Sequence, residues 1–114
     1  MYSDDLLKTL HDVVEKRRAE NEEGSYTSYL LDAGLDKILK KLGEETSETI
    51  IAAKNLEACP DGSEEATEMR KALCGEVGDL LYHLIVMLCA LDVEVEEIED
   101  LLRTRMQKTG NLKR

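Results

Sequence analysis

Between Leu35 and Ala58 the apolar residues recur at the spacing of one helix face, and an acid stands in the middle of that face. At about 100° per residue, Ile38, Leu42, Thr49, Ala52, Ala53 and Leu56 share one stripe. Glu45 occupies its centre, where a leucine is expected, and Glu48 lies on its edge. A second segment repeats the arrangement. Met69, Leu73, Leu80, Leu84, Met87 and Leu91 line a face with Glu76 at its centre and Asp79 at its margin. An apolar side chain in such a position contributes roughly 1.5–3 kcal/mol. A buried, unpaired carboxylate costs several kcal/mol instead, and neighbouring like charges add to that. Two helices that each place acids at i and i+3 against the core imply a shared cation. Four or five carboxylates with no His or Cys among them suit a hard ion, Mg²⁺ or Mn²⁺, rather than zinc. Taken alone, Glu48 or Asp79 reads as an ordinary acidic surface residue; Glu45 and Glu76, in register with the core, read as ligands.

The rest of the composition fits an all-α chain. Among 114 residues there is one Pro and seven Gly, and Leu, Glu, Lys and Ala dominate. That length gives one domain, residues 1–114, with a modest core. Phe and Trp are absent, so the core is aliphatic with Met as filler. Few long helices with wide apolar stripes predict a bundle of four to five helices completed by dimerisation. A net charge of −10 argues against nonspecific nucleic-acid or membrane binding, which needs a basic patch. It leaves room for a phosphorylated small substrate, because a metal ion supplies positive charge locally. Cys59, Cys74 and Cys89 stand apart without metal-ligand spacing and read as reduced, semi-buried residues of a cytoplasmic protein. Neither a signal-peptide core at the acidic start nor an apolar run long enough to span a bilayer is expected.

Along the chain, Ser3 or Asp4 is placed to cap a first helix to about Glu20, with Leu6, Leu7, Leu10, Val13, Val14 and Arg17 on one side. His11 beside that stripe reads as solvated or core-edge. Ser25-Tyr26-Thr27-Ser28-Tyr29 opens a short helical turn that Gly34 closes. It is either a connector whose rings pack on the bundle or a lip offering hydroxyls to phosphate or ribose. In the central helix Lys37 and Lys41 share the edge of Glu48, placed either to pair with it or to meet a phosphate; Lys54 follows the acids. Pro60 to Ser63 is a turn, and Glu64, Glu65 and Glu68 suit the positive end of the next helix. His83, one turn after Asp79, either contacts a ligand or sits hydrogen-bonded at the core edge. Gly75 and Gly78 leave room for a close helix crossing or a ligand. Asp92 or Glu94 opens a last helix with Val95, Ile98, Leu101 and Leu102 inward, running into the basic tail Arg103 to Arg114.

Glu-Glu-x-x-Glu at Glu44, Glu45 and Glu48, followed by Glu-x-x-Asp at Glu76 and Asp79, resembles the signature of the MazG-like all-α nucleoside triphosphate pyrophosphatases. Within that superfamily the chain is similar to the phosphoribosyl-ATP pyrophosphohydrolases. The likeness is carried by Ser25-Tyr26-Thr27, Gly34, Lys37-Ile38, Lys40 to Glu45, Ala52-Ala53-Lys54 and Asp79 to Leu84. The resemblance implies hydrolysis of phosphoribosyl-ATP to phosphoribosyl-AMP and pyrophosphate, the second step of histidine biosynthesis. It implies Mg²⁺ held by Glu45, Glu48, Glu76 and Asp79, and Glu44 as a second-metal ligand or a positioner of the attacking water. It implies substrate contacts from Lys37, Lys41, Lys54, Ser25, Tyr26, Thr27 and His83. Two rivals remain: a house-cleaning pyrophosphatase of free (deoxy)nucleoside triphosphates with the same acids, and a non-catalytic helical dimerisation module.

Overall fold

The computed structural model describes residues 5–107, and among them every regular element is a helix. Helix α1 is Leu6–Glu20, α2 Tyr26–Ala33, α3 Leu35–Glu57, α4 Glu64–Ala90 and α5 Val95–Met106. Local chemistry sets the boundaries. Asp5 caps α1 by accepting from the Lys8 N–H at 3.1 Å; the expected caps, Ser3 and Asp4, lie outside the described residues. The Ser25 hydroxyl accepts from the Ser28 N–H and starts α2. Gly34, at φ +99°, then turns the chain from α2 into α3 in a conformation that a side chain would strain. Ser63 caps α4 through the Ala66 N–H at 3.0 Å, and the Glu97 carboxylate accepts from the Glu94 N–H to open α5.

The molecule has two unequal ends. At one, α1, α2, the start of α3, the last third of α4 and the start of α5 enclose Val14, Leu30, Ile38, Ile85, Val86, Cys89 and Val95. His11 belongs to this dry core: it is 4% exposed, and its Nε2 meets the Val93 carbonyl at 3.0 Å. Arg18 donates to the Cys89 carbonyl and to Asp92, satisfying the C-terminus of α4 from across the bundle. At the other end α3 and α4 continue as a hairpin with only each other for company. Their contact line is Leu42, Glu45, Thr49, Ala52 and Leu56 against Ala66, Met69, Leu73, Glu76 and Leu80, most of it only half-buried. Ile50 and Ile51 remain about three-fifths exposed, and Val77 and Leu81 also face outward. The radius of gyration, 16.7 Å, reflects this projection; a compact chain of this length would have about 13 Å.

Several expectations change. Ala53 is exposed, outside the α3 contact line. Leu101 and Leu102 are exposed, because the apolar residues that α5 turns inward are Val95 and Ile98 near its start. Leu91, placed on the α4 stripe, is also exposed where that helix ends. Cys74 is exposed rather than semi-buried. A Cβ on Gly75 or Gly78 would meet nothing within 4 Å, so neither serves a close crossing inside this chain. Although its uninterrupted apolar run is short, α4 is long and apolar enough overall to cross a membrane. Its most apolar third supplies the buried Ile85, Val86 and Cys89 of the bundle core instead.

Candidate active site

Where the hairpin leaves the bundle, the contact line between α3 and α4 turns acidic. Glu45 is 7% exposed, and Glu76 faces it from α4. Thr49, on the next turn of α3, ties the helices together here. Its hydroxyl donates to the Glu45 carbonyl at 2.8 Å and lies 3.3 Å from the Glu76 carbonyl. Glu45, Glu76 and Asp79 each present a carboxylate oxygen, the three lying within 4.8 Å of one another. One oxygen of Glu45, Oε2, is buried without a hydrogen-bond partner among the described residues. A buried acid with an orphaned oxygen, grouped with two further carboxylates, is the fit expected of a hard-cation site, and the all-oxygen donor set agrees with it.

Electrostatics mark the same spot. Burial raises the pKa of Glu45, helped by the nearby charges of Glu48 and Asp79. Burial also raises that of Glu76, together with the charges of Glu48 and Glu45 and a hydrogen bond to Glu48. Glu48 is therefore a close neighbour, although it stands outside the tight triplet. Glu44 is exposed and paired with Lys41 at 3.5 Å. Lys41 also carries its charge toward Tyr26 and Glu45, and Lys37 lies one turn earlier on α3. Lys54 does not join them. It pairs with Glu57 in solvent, roughly 13 Å further along the axis than Glu45.

The α2 lip is present, but its hydroxyls are engaged within the fold. Ser25 caps the helix, Thr27 is buried with its hydroxyl bonded to that of Tyr82, and the Tyr26 hydroxyl meets His83 Nε2 at 3.0 Å. The connector and lip readings thus merge: these residues pack on the bundle and also border the acids. His83 is 5% exposed, with Nδ1 2.7 Å from the Asp79 carbonyl. That carbonyl can only accept, so Nδ1 carries a proton; in the neutral ring, Nε2 then accepts from Tyr26. His83 accordingly joins the tyrosine lip to the helix turn that presents Asp79. Two contributors escaped the sequence reading. By spacing Thr49 is one more stripe residue and Tyr82 one more motif position; their partners lie 27 and 55 residues away. Only the hydroxyl within an otherwise aliphatic stripe hinted at Thr49.

The arrangement of five acids on two facing helices has relatives. A model of the phosphoribosyl-ATP pyrophosphohydrolase family matches residues 7–106. The phosphoribosyl-ATP pyrophosphatase of Streptococcus sanguinis is 45% identical over 107 residues, covering 94% of this chain and 91% of the relative. That of Listeria innocua is 42% identical over 111 residues, 95% of each chain. That of Clostridium novyi is 39% identical over 109 residues, 96% of this chain and 88% of its own length. Because the likeness runs through the whole helical frame, and the acids fall inside the matched residues, the chain belongs to the phosphoribosyl-ATP pyrophosphohydrolase family.

Proposed function

We infer that this chain hydrolyses phosphoribosyl-ATP to phosphoribosyl-AMP and pyrophosphate, the second step of histidine biosynthesis, and that its acid cluster does so with Mg²⁺ (Mn²⁺ being the alternative of the same class). The single observation that carries the reading is the partnerless Glu45 oxygen among Glu76 and Asp79. Membership of the family supports the substrate.

Glu45, Glu76 and Asp79 would hold the cation, with Glu48 completing the set from the next turn of α3. When bound, the ion neutralises the triphosphate and stabilises charge on the departing pyrophosphate. The chain's own residues do the rest. Water attacks the α-phosphorus, the bond from it to the bridging α–β oxygen breaks, the electron pair leaves with pyrophosphate, and the proton that the water gives up passes to solvent. Glu44, at the rim and paired with Lys41, is placed to orient that water or a second ion. Lys41 and Lys37 approach from the same helix as candidate phosphate partners, whereas Lys54 drops out of the set. Thr49 and the buried Glu45 backbone hold the two helices at fixed separation, so the carboxylates need little reorganisation on binding.

The hairpin also needs a cover. Ile50, Ile51, Val77 and Leu81 expose an apolar surface beside the open space at Gly75 and Gly78. A second copy packing there would complete a four-helix arrangement. The free cysteines and a biosynthetic substrate suit the cytoplasm.

The decisive assay is pyrophosphate release from phosphoribosyl-ATP, with and without Mg²⁺, beside a panel of deoxynucleoside triphosphates. Mg-dependent turnover favouring phosphoribosyl-ATP is expected. Preference for the free triphosphates would reassign the chain to house-cleaning hydrolysis, and no turnover of any triphosphate would leave a dimerisation module. For the dimer, the Ile50→Glu/Leu81→Glu double variant should sediment as a monomer where the wild type sediments as a dimer. A monomeric wild type would end that part of the proposal.

A further inference from the structure

A file of rings leads away from the acids. His83 rests on the Asp79 carbonyl and Tyr26 on His83. Tyr26 in turn stands between two other tyrosines, 6.2 Å from Tyr82 and 6.3 Å from Tyr29 between centroids, with ring planes inclined by 26° and 27°. Tyr82 is the inner end, closed off by Thr27. The outer two rings are 46% and 53% exposed. They are not needed to close the core, which is sealed by Leu30 and Ile38 at 0% exposure. Tyr26 has a ring neighbour on either side, so the face left to water is the outer one of Tyr29, backed by Tyr26, which its hydroxyl holds in orientation. Half-exposed aromatic faces held in place are suited to stacking on a flat π-system, because little side-chain freedom remains to be lost.

The geometry points to Tyr26 and Tyr29 as the stacking platform for the purine ring of the substrate, with Tyr29 as its specificity-determining member. The argument rests on the function inferred above and adds what that reading lacks, a place for the base. A triphosphate gripped at Glu45, Glu76 and Asp79 has its nucleoside attached at one end, and the only aromatic surface described beside those acids is this one. The Tyr26 hydroxyl already has a partner in His83, so what the lip offers the substrate is ring face rather than hydroxyl. Tyr29 is one turn further along α2, outside the hydrogen-bonded line to Asp79. Its removal therefore tests base contact without unhooking the acids.

The test compares the KM for phosphoribosyl-ATP with the inhibition constant of inorganic tripolyphosphate, which has the phosphates and no base. Both are measured in Mg²⁺ for the wild type, Tyr29→Ala and Tyr29→Phe. In Tyr29→Ala the ratio of KM to inhibition constant should rise about tenfold, and Tyr29→Phe should restore it. If the two constants move together, or neither moves, the platform is refuted while the function stands. If Tyr29→Ala sediments at a changed mass, the ring belongs to an interface between copies, and the proposal is overturned. Absence of wild-type turnover of phosphoribosyl-ATP would remove the function and this inference with it.

Discussion

The two ends of this molecule are built from the same helices and obey different rules. Around Val14, Leu30, Ile38 and Val86, all at 0% exposure, every buried position is filled as a soluble bundle requires, and even the buried His11 has a carbonyl partner. Two turns beyond Ile38 on α3, and about three turns before Val86 on α4, the positions that should hold leucines hold Glu45 and Glu76, and Ile50 and Ile51 face outward. The bundle end is largely satisfied within one chain: Glu15 Oε1, buried there without a hydrogen bond, still has the Arg18 guanidinium 3.5 Å away. The hairpin end is left with an orphaned carboxylate oxygen and exposed apolar residues, which the proposed cation and second copy would satisfy. The proposed function sits where the chain is incomplete, and the better-packed end holds that region in shape.

The sharpest way to break that contrast is to remove the charge from one acid. Glu76→Gln keeps the size and helix propensity of the side chain but withdraws an anionic ligand. Turnover in Mg²⁺ should fall by about a thousandfold, since the ion's stabilisation of transition-state charge amounts to several kcal/mol. Helicity by circular dichroism should be unchanged. Near-normal turnover would show that the hairpin acids are surface residues after all.

Next in size is the contrast in packing. Leu30→Ala empties a fully enclosed position and should lower the unfolding free energy by about 2–5 kcal/mol in urea titrations. Leu101→Ala, at a side chain already half in water, should stay within about 0.5 kcal/mol. Equal costs would mean that the exposed end of α5 has a partner that the single chain does not contain.

What the sequence made legible follows the same division. Helix limits were readable because Ser25, Gly34, Ser63 and Glu94 do local work, bonding or turning the chain within a few residues. The acids were readable because they violate a period that their own helices establish. The fates of the lip hydroxyls were not, because Thr27 finds Tyr82 and Tyr26 finds His83 across more than fifty residues. Lys54 looked like a phosphate partner because it follows the motif closely, yet on a helix closeness along the chain becomes distance along the axis. Glu48 sits beside Glu76 rather than in the triplet, a difference of side-chain reach that spacing alone does not carry.

The smallest effect separates the ends by pH. Glu45 and Glu76 have folded-state pKa values raised by burial and by neighbouring carboxylates, Glu48 foremost. An acid raised on folding binds more protons folded than unfolded, so its ionisation destabilises the fold. In metal-free protein that penalty is fully present above the raised folded values and is relieved as pH falls toward the ordinary carboxylate value near 4.5. The melting temperature in EDTA should therefore rise as pH falls from 7.5 toward 4.5. Glu96 acts in the opposite sense, its pKa lowered by its own backbone N–H and by Lys8, but it loses stability only below pH 4.5 and leaves this window clear. Mg²⁺ should reverse the slope, because protons then compete with the ion for the same oxygens. Glu45→Gln should flatten the metal-free slope while leaving the bundle end untouched. A melting temperature that falls between pH 7.5 and 5.5 without metal would mean that the hairpin acids are already paired, and that the two ends do not differ in the way described.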